Sequence, residues 1–133
     1  MDHAERARAL LGARFRAQGR EAKTGLDCVG LAIVAFRLQG EPIRRDYRLR
    51  GDYRRELMAA MLKYFRRVSR RRRRPGDLLL MQVAPEQLHL AIQTPAGFVH
   101  ADAGLGRVVE TPGEPRWRLL AAFRRRVRRA RIG

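Results

Sequence analysis

The sequence predicts one α+β domain, with helices from its first half packed on one face of an antiparallel sheet of about five strands from its second half. Three observations lead there. The length, 133 residues, suits a single hydrophobic core. Residues 28–38 form an apolar run flanked on both sides by amphipathic stretches of helical spacing. After the turn signal Pro75-Gly76-Asp77 the pattern changes to short apolar segments divided by Pro and Gly, the spacing of strands.

Taken in order, residues 4–15 place Ala7, Leu10 and Leu11 between arginines, which predicts a short amphipathic helix. Gly19 and Gly25 bracket a loop. Residues 28–38 include Val29, Leu31, Ile33, Val34 and Phe36, apolar nearly all round and too long for an ordinary strand. With Gly40 and Pro42 closing the run, it reads as a buried helix at the centre of the fold. Asp52 is placed to cap a third helix over 53–65, with Leu57, Ala60, Met61 and Tyr64 on one face. A basic connector follows at 66–74. Strands are then predicted at 78–83, 88–93, 97–101, 107–110 and 117–123, and residues 126–133 form a basic tail.

Charge is the dominant compositional feature: 30 basic residues, 28 of them Arg, against 13 acidic ones give a net +17. Such a field attracts polyanions without choosing among nucleic acid, an anionic envelope or an acidic protein. A single cysteine makes no internal disulfide and cannot build a metal site alone, so Cys28 is either a core filler or a free thiol. The first residues lack the basic head and apolar stretch of a signal peptide, and no apolar run approaches about 18 residues. The expectation is a chain made in the cytoplasm without a transmembrane segment.

Cys28 stands where the buried helix should begin, and unpaired amides there favour an anion, which predicts a lowered thiol pKa. A nucleophilic thiol needs a base. His3 lies at the N-terminus, leaving His89 and His100. His89 alternates with Leu88, Leu90 and Ile92 and so faces away from them. A hairpin turning at 94–97 pairs Gln93 with Phe98, Ala91 with His100 and His89 with Asp102. That register makes His89 and His100 diagonal neighbours on one face, with His100 or Asp102 as the group that orients the base.

Four pieces, Gly25-Leu26-Asp27-Cys28-Val29-Gly30-Leu31, Pro75-Gly76-Asp77 with its following strand, His89-Leu90-Ala91-Ile92 and Gly97-Phe98-Val99-His100-Ala101, resemble the NlpC family of papain-like cell-wall cysteine peptidases in order and spacing. The resemblance covers residues 8–125. It implies a hydrolase of amide bonds in peptidoglycan stem peptides that needs no cofactor, with Cys28 as nucleophile, His89 as general base and His100 as the orienting residue; Asp27 and Asp102 are supporting candidates. The stretch Phe15-Arg16-Ala17-Gln18-Gly19 resembles the branch carried by bacteriophage tails and phage-like particles, which implies other tail proteins as partners and the virion as location. The family has a Tyr at the position of Phe15, whose hydroxyl assists at the oxyanion, and Tyr47 or Tyr53 are the candidates to replace it.

The arginines from Arg66 to Arg74 and from Arg124 to Arg131 suit non-specific polyanion contact, whether with anionic envelope polymers, an acidic tail protein or nucleic acid. Neither run interleaves aromatic residues for base stacking, which disfavours sequence-reading or single-strand binding, and a nucleic-acid-binding module would leave the Cys and His constellation accidental. The other alternative is a non-catalytic tail structural protein on the same fold.

Overall fold

The computed structural model describes residues 1–44 and 53–126. Helix α1, His3–Ala9, begins at a capping box in which Asp2 accepts from the Glu5 amide and Glu5 reaches back to the Asp2 amide. The predicted helix over 4–15 ends early, because Gly12 takes a positive φ of 87° and the chain turns extended. Residues 12–15 run along the sheet edge instead, with Gly12 N donating to Val108 O, Val108 N to Ala13 O and Phe15 N to Gly106 O. A two-stranded ribbon, β1 (Arg20–Glu21) and β2 (Gly25–Leu26), fills the expected loop.

Helix α2, Cys28–Ala35, is buried almost all round, as its apolar run requires. It ends three residues short of expectation, with Arg37 at φ 57° turning the chain away. Helix α3, Arg54–Tyr64, buries Leu57 and Met61; Asp52, its predicted cap, lies outside the described residues.

Six strands rather than five form the main sheet: β3 (Phe65–Val68), β4 (Leu78–Ala84), β5 (Gln87–Gln93), β6 (Gly97–Asp102), β7 (Arg107–Pro112) and β8 (Arg118–Arg125), in the order β3-β8-β4-β5-β6-β7. The extra strand is the start of the predicted basic connector, which pairs with β8 at an edge, and Arg70–Arg72 then make a 3₁₀ turn. All neighbouring strands are antiparallel. The helices pack on one face through Leu78, Leu80, Leu88, Leu90, Ile92, Val99 and Phe123. A smaller cluster of Leu79, Met81, Ala91, Phe98 and Ala122 occupies the other face, under Trp117 of the β7–β8 loop.

Candidate active site

Cys28 is the first residue of α2 and is almost fully buried. Asp27 is the N-cap: its Oδ1 accepts from Gly30 N at 2.8 Å and pairs with Arg20 at 2.8 Å, while Oδ2 accepts from Gln18 N at 2.9 Å. Three donors therefore fix the carboxylate that precedes the thiol. Gly30 is required for the same packing, since a Cβ there would lie 1.9 Å from Gly19 O of the loop that carries Gln18.

The pairing of β5 with β6 covers only Ile92↔Val99 and Gln93↔Phe98. The hairpin register is the predicted one, but the expected pairs Ala91↔His100 and His89↔Asp102 do not form. Gln93 N donates to Asp77 O on the β4 side, so strand alternation turns the Leu90 amide toward β6. There, with the Cys28 and Val29 amides, it is near enough to the Cys28 sulfur to favour negative charge on it. The start of α2 thus occupies the opening between two strands, one residue along from His89.

Those amides favour a thiolate, yet the Cys28 thiol is pushed up to about 12, first by burial and then by the Asp27 charge. The predicted lowering is overturned: a helix N-terminus acts within its first turn, and here complete desolvation outweighs it. His89 is pushed down to about 4 by burial and then by His100, against a small opposing effect of Asp102. Burial lowers His100 as well. The resting groups are a neutral thiol and neutral imidazoles.

His89 Nε2 lies 2.9 Å from His100 Nδ1, and His100 Nε2 lies 3.0 Å from Thr111 Oγ1. The diagonal contact expected from the sequence is therefore made, and His100 is the residue that touches His89. Asp102 instead accepts from Leu105 N at 3.0 Å, in the turn after β6, and acts on both histidines only through its charge. Trp117 covers the pair, its ring 5.6 Å from each imidazole and edge-on to both, while Phe98 lies 5.1 Å from His100 beneath. Phe15 sits between the start of β7 and Leu26, partly buried, and offers no side-chain donor. Tyr53 precedes α3, and Tyr47 lies outside the described residues. The sequence pattern marks neither Thr111 nor Trp117 as part of a site, and places Trp117 only at the start of the last strand. Thr111 is diagonal to His100 across β6–β7, a relation visible only once the His100↔Val109 register is known.

A helix that begins with a thiol, set against an antiparallel sheet carrying a histidine pair, defines a papain-like α+β fold. The sequence profile of the NlpC/P60 family matches residues 12–121, and the chain belongs to that family, whose members are in general cysteine peptidases of the cell wall. Similar solved structures include the NlpC/P60 domain of the peptidoglycan hydrolase SagA, at 19% identity and TM-score 0.59, over 83% of this chain and 86% of that one. The P60 domain of an M. avium subspecies paratuberculosis antigen matches at 21% identity and TM-score 0.59, over 92% of this chain and 90% of that one. No curated protein matches the sequence. Among the described residues no helix is long and apolar enough to cross a membrane, and no cluster of His, Cys, Asp and Glu suits a metal ion.

Proposed function

We propose that this chain is a cysteine endopeptidase that hydrolyses amide bonds in peptidoglycan stem peptides, with Cys28 as nucleophile, His89 as base and His100 as the residue that orients it. The observation that carries the reading is the chain of contacts from His89 through His100 to Thr111, on the strand whose Leu90 amide acts on the buried thiol at the start of α2. Because both groups rest neutral, the Cys28 proton passes to His89 as sulfur bonds to the substrate carbonyl. The resulting imidazolium protonates the leaving amine as the C–N bond breaks. Water, deprotonated by His89, then splits the thioester and returns the proton to sulfur. The Cys28 amide supplies one hydrogen bond to the oxyanion.

Delivery by a phage tail or phage-like particle, in company with tail proteins, rests on the resemblance of residues 15–19 to that branch. The second reading, a structural tail protein on the same fold, is favoured by Phe15, which cannot donate to the oxyanion, and by the closed setting of Cys28. Hydrolysis of purified murein by wild type, Cys28→Ala and Phe15→Tyr decides between them. The enzyme reading expects loss of all turnover in Cys28→Ala, and a gain in Phe15→Tyr if the donor is missing, since one oxyanion donor contributes about 100-fold or more. Three equally inert proteins on murein from several hosts would leave the structural reading.

A further inference from the structure

Arginines of both runs, far apart in sequence, converge at the end of the molecule remote from Cys28: Arg66 and Arg74 from one, and Arg124 to Arg126 from the other. A hollow of about 510 Å³ is lined by Arg66, Arg74, Arg124, Arg125 and Arg126 together with Asp2, His3 and Asp77. It lies by the far end of α2, where His3 stacks on Phe36 with ring centres 4.7 Å apart, so a helix length of about 12 Å separates it from the thiol.

Its two carboxylates are already engaged. Asp77 is buried and holds Arg124 through both oxygens, at 2.8 and 2.9 Å, as well as the Arg74 amide at 2.9 Å. Asp2 caps α1. Among the described residues Arg125 and Arg126 reach neutral acceptors, the carbonyls of Tyr64 and Arg126 for the first and of Leu62 for the second. The exposed side chains of Arg66 and Arg74 have no partner among the described residues. The strand register adds a second observation, for β3 sets Arg66 directly opposite Arg124 on β8. Like charges directly opposite destabilise a strand pair, and Asp77 offsets the Arg124 half alone. A sheet edge that keeps such a pair, beside a concave surface and unmatched guanidinium groups, has an arrangement that an anion would complete.

We infer that this hollow is a binding site for a phosphate group, held by Arg66 and Arg74 from one run and by Arg125 and Arg126 from the other. Planar guanidinium forks bind phosphate oxygens two at a time, and the near-exclusive use of Arg over Lys in this chain matches that chemistry. Among its lining side chains only the His3 ring could stack on a base, so the phosphate itself is recognised rather than a nucleobase.

The test is titration calorimetry with inorganic pyrophosphate on the full chain, for wild type, Arg66→Gln/Arg74→Gln and the control Arg54→Gln/Arg55→Gln on the exposed face of α3. Loss of charge-assisted bonds should weaken binding by about tenfold or more in the first variant, while the control stays within about twofold. His3, whose pKa is held down by burial, Arg6 and Arg125, should titrate higher when pyrophosphate is bound, a shift read by proton NMR. Without ligand, Arg66→Gln should melt no lower than wild type, since it removes a like-charge opposition. Equal losses in both double variants, an unmoved His3, or a lower melting temperature with unchanged affinity in Arg66→Gln would each overturn the site. Cosedimentation with vesicles containing phosphatidic acid, absent with phosphatidylcholine alone and lost in Arg66→Gln/Arg74→Gln, would identify a lipid headgroup as the source. Pyrophosphate binding without vesicle binding would identify a soluble phosphate.

Discussion

His89 and His100 share one proton between Nε2 and Nδ1, and where it sits decides whether His89 has a lone pair for chemistry. If Thr111 Oγ1 accepts from His100 Nε2–H, His100 Nδ1 is bare and takes the bond from His89 Nε2–H, leaving the His89 Nδ1 lone pair free. The opposite order puts the His89 proton on Nδ1 and leaves that ring without a free lone pair. Under the proposed mechanism only the first order leaves His89 able to act, and Thr111 Oγ1, two residues along a neighbouring strand, is the acceptor that would hold it through one intervening ring. Thr111→Val should lower kcat/KM on a stem peptide by about tenfold, while Thr111→Ser stays near wild type. The nitrogen-15 shifts of His100 report its tautomer independently of turnover. An unchanged tautomer in Thr111→Val would show that something else sets the proton.

At the scale of elements, the site depends on how α2 begins and where the β5–β6 ladder stops. Asp27 does two opposed things there: it caps α2, and its charge helps hold the Cys28 thiol neutral. Asn caps a helix about as well as Asp does, so Asp27→Asn separates the two effects. The variant should keep its helix content and react faster with iodoacetamide at pH 8, by a few-fold, because less of the thiol is held protonated. An unchanged rate would assign the raised pKa to burial alone. Much of this level was legible. The all-round apolar run announced α2, and Pro75-Gly76-Asp77 announced the change to strands, because those patterns follow from local chemistry. Phe65–Val68 was not legible as β3, since its two exposed arginines continue the polar face of α3 and only pairing with β8 makes it a strand. Leu10 and Leu11 extended the predicted first helix past Gly12, whose positive φ ended it. The predicted thiol pKa failed for a related reason: a sequence shows a helix start, but not how completely the neighbouring strands enclose it.

For the whole molecule, two neutral imidazoles enclosed by Phe98 and Trp117 make stability depend on pH in a particular window. In the unfolded chain both histidines titrate near 6.5, whereas in the fold His89 does so at about 4 and His100 below its ordinary value. Between those limits the unfolded chain binds more protons than the folded one, so stability is present in full above about 6.5 and falls as pH drops toward 4. Each pKa unit corresponds to about 1.4 kcal/mol, enough for the melting temperature to drop by several degrees. The net charge of +17 adds self-repulsion over the same range, but exposed charges are screened by salt and enclosed imidazoles are not. Melting curves at low and high salt between pH 8 and 4 separate the two. Wild type should keep most of its acid-induced loss at high salt, and His89→Gln, which has no proton to take up, should lose much of that remainder. A variant whose curve still follows wild type at high salt would trace the acid sensitivity to groups other than the histidine pair.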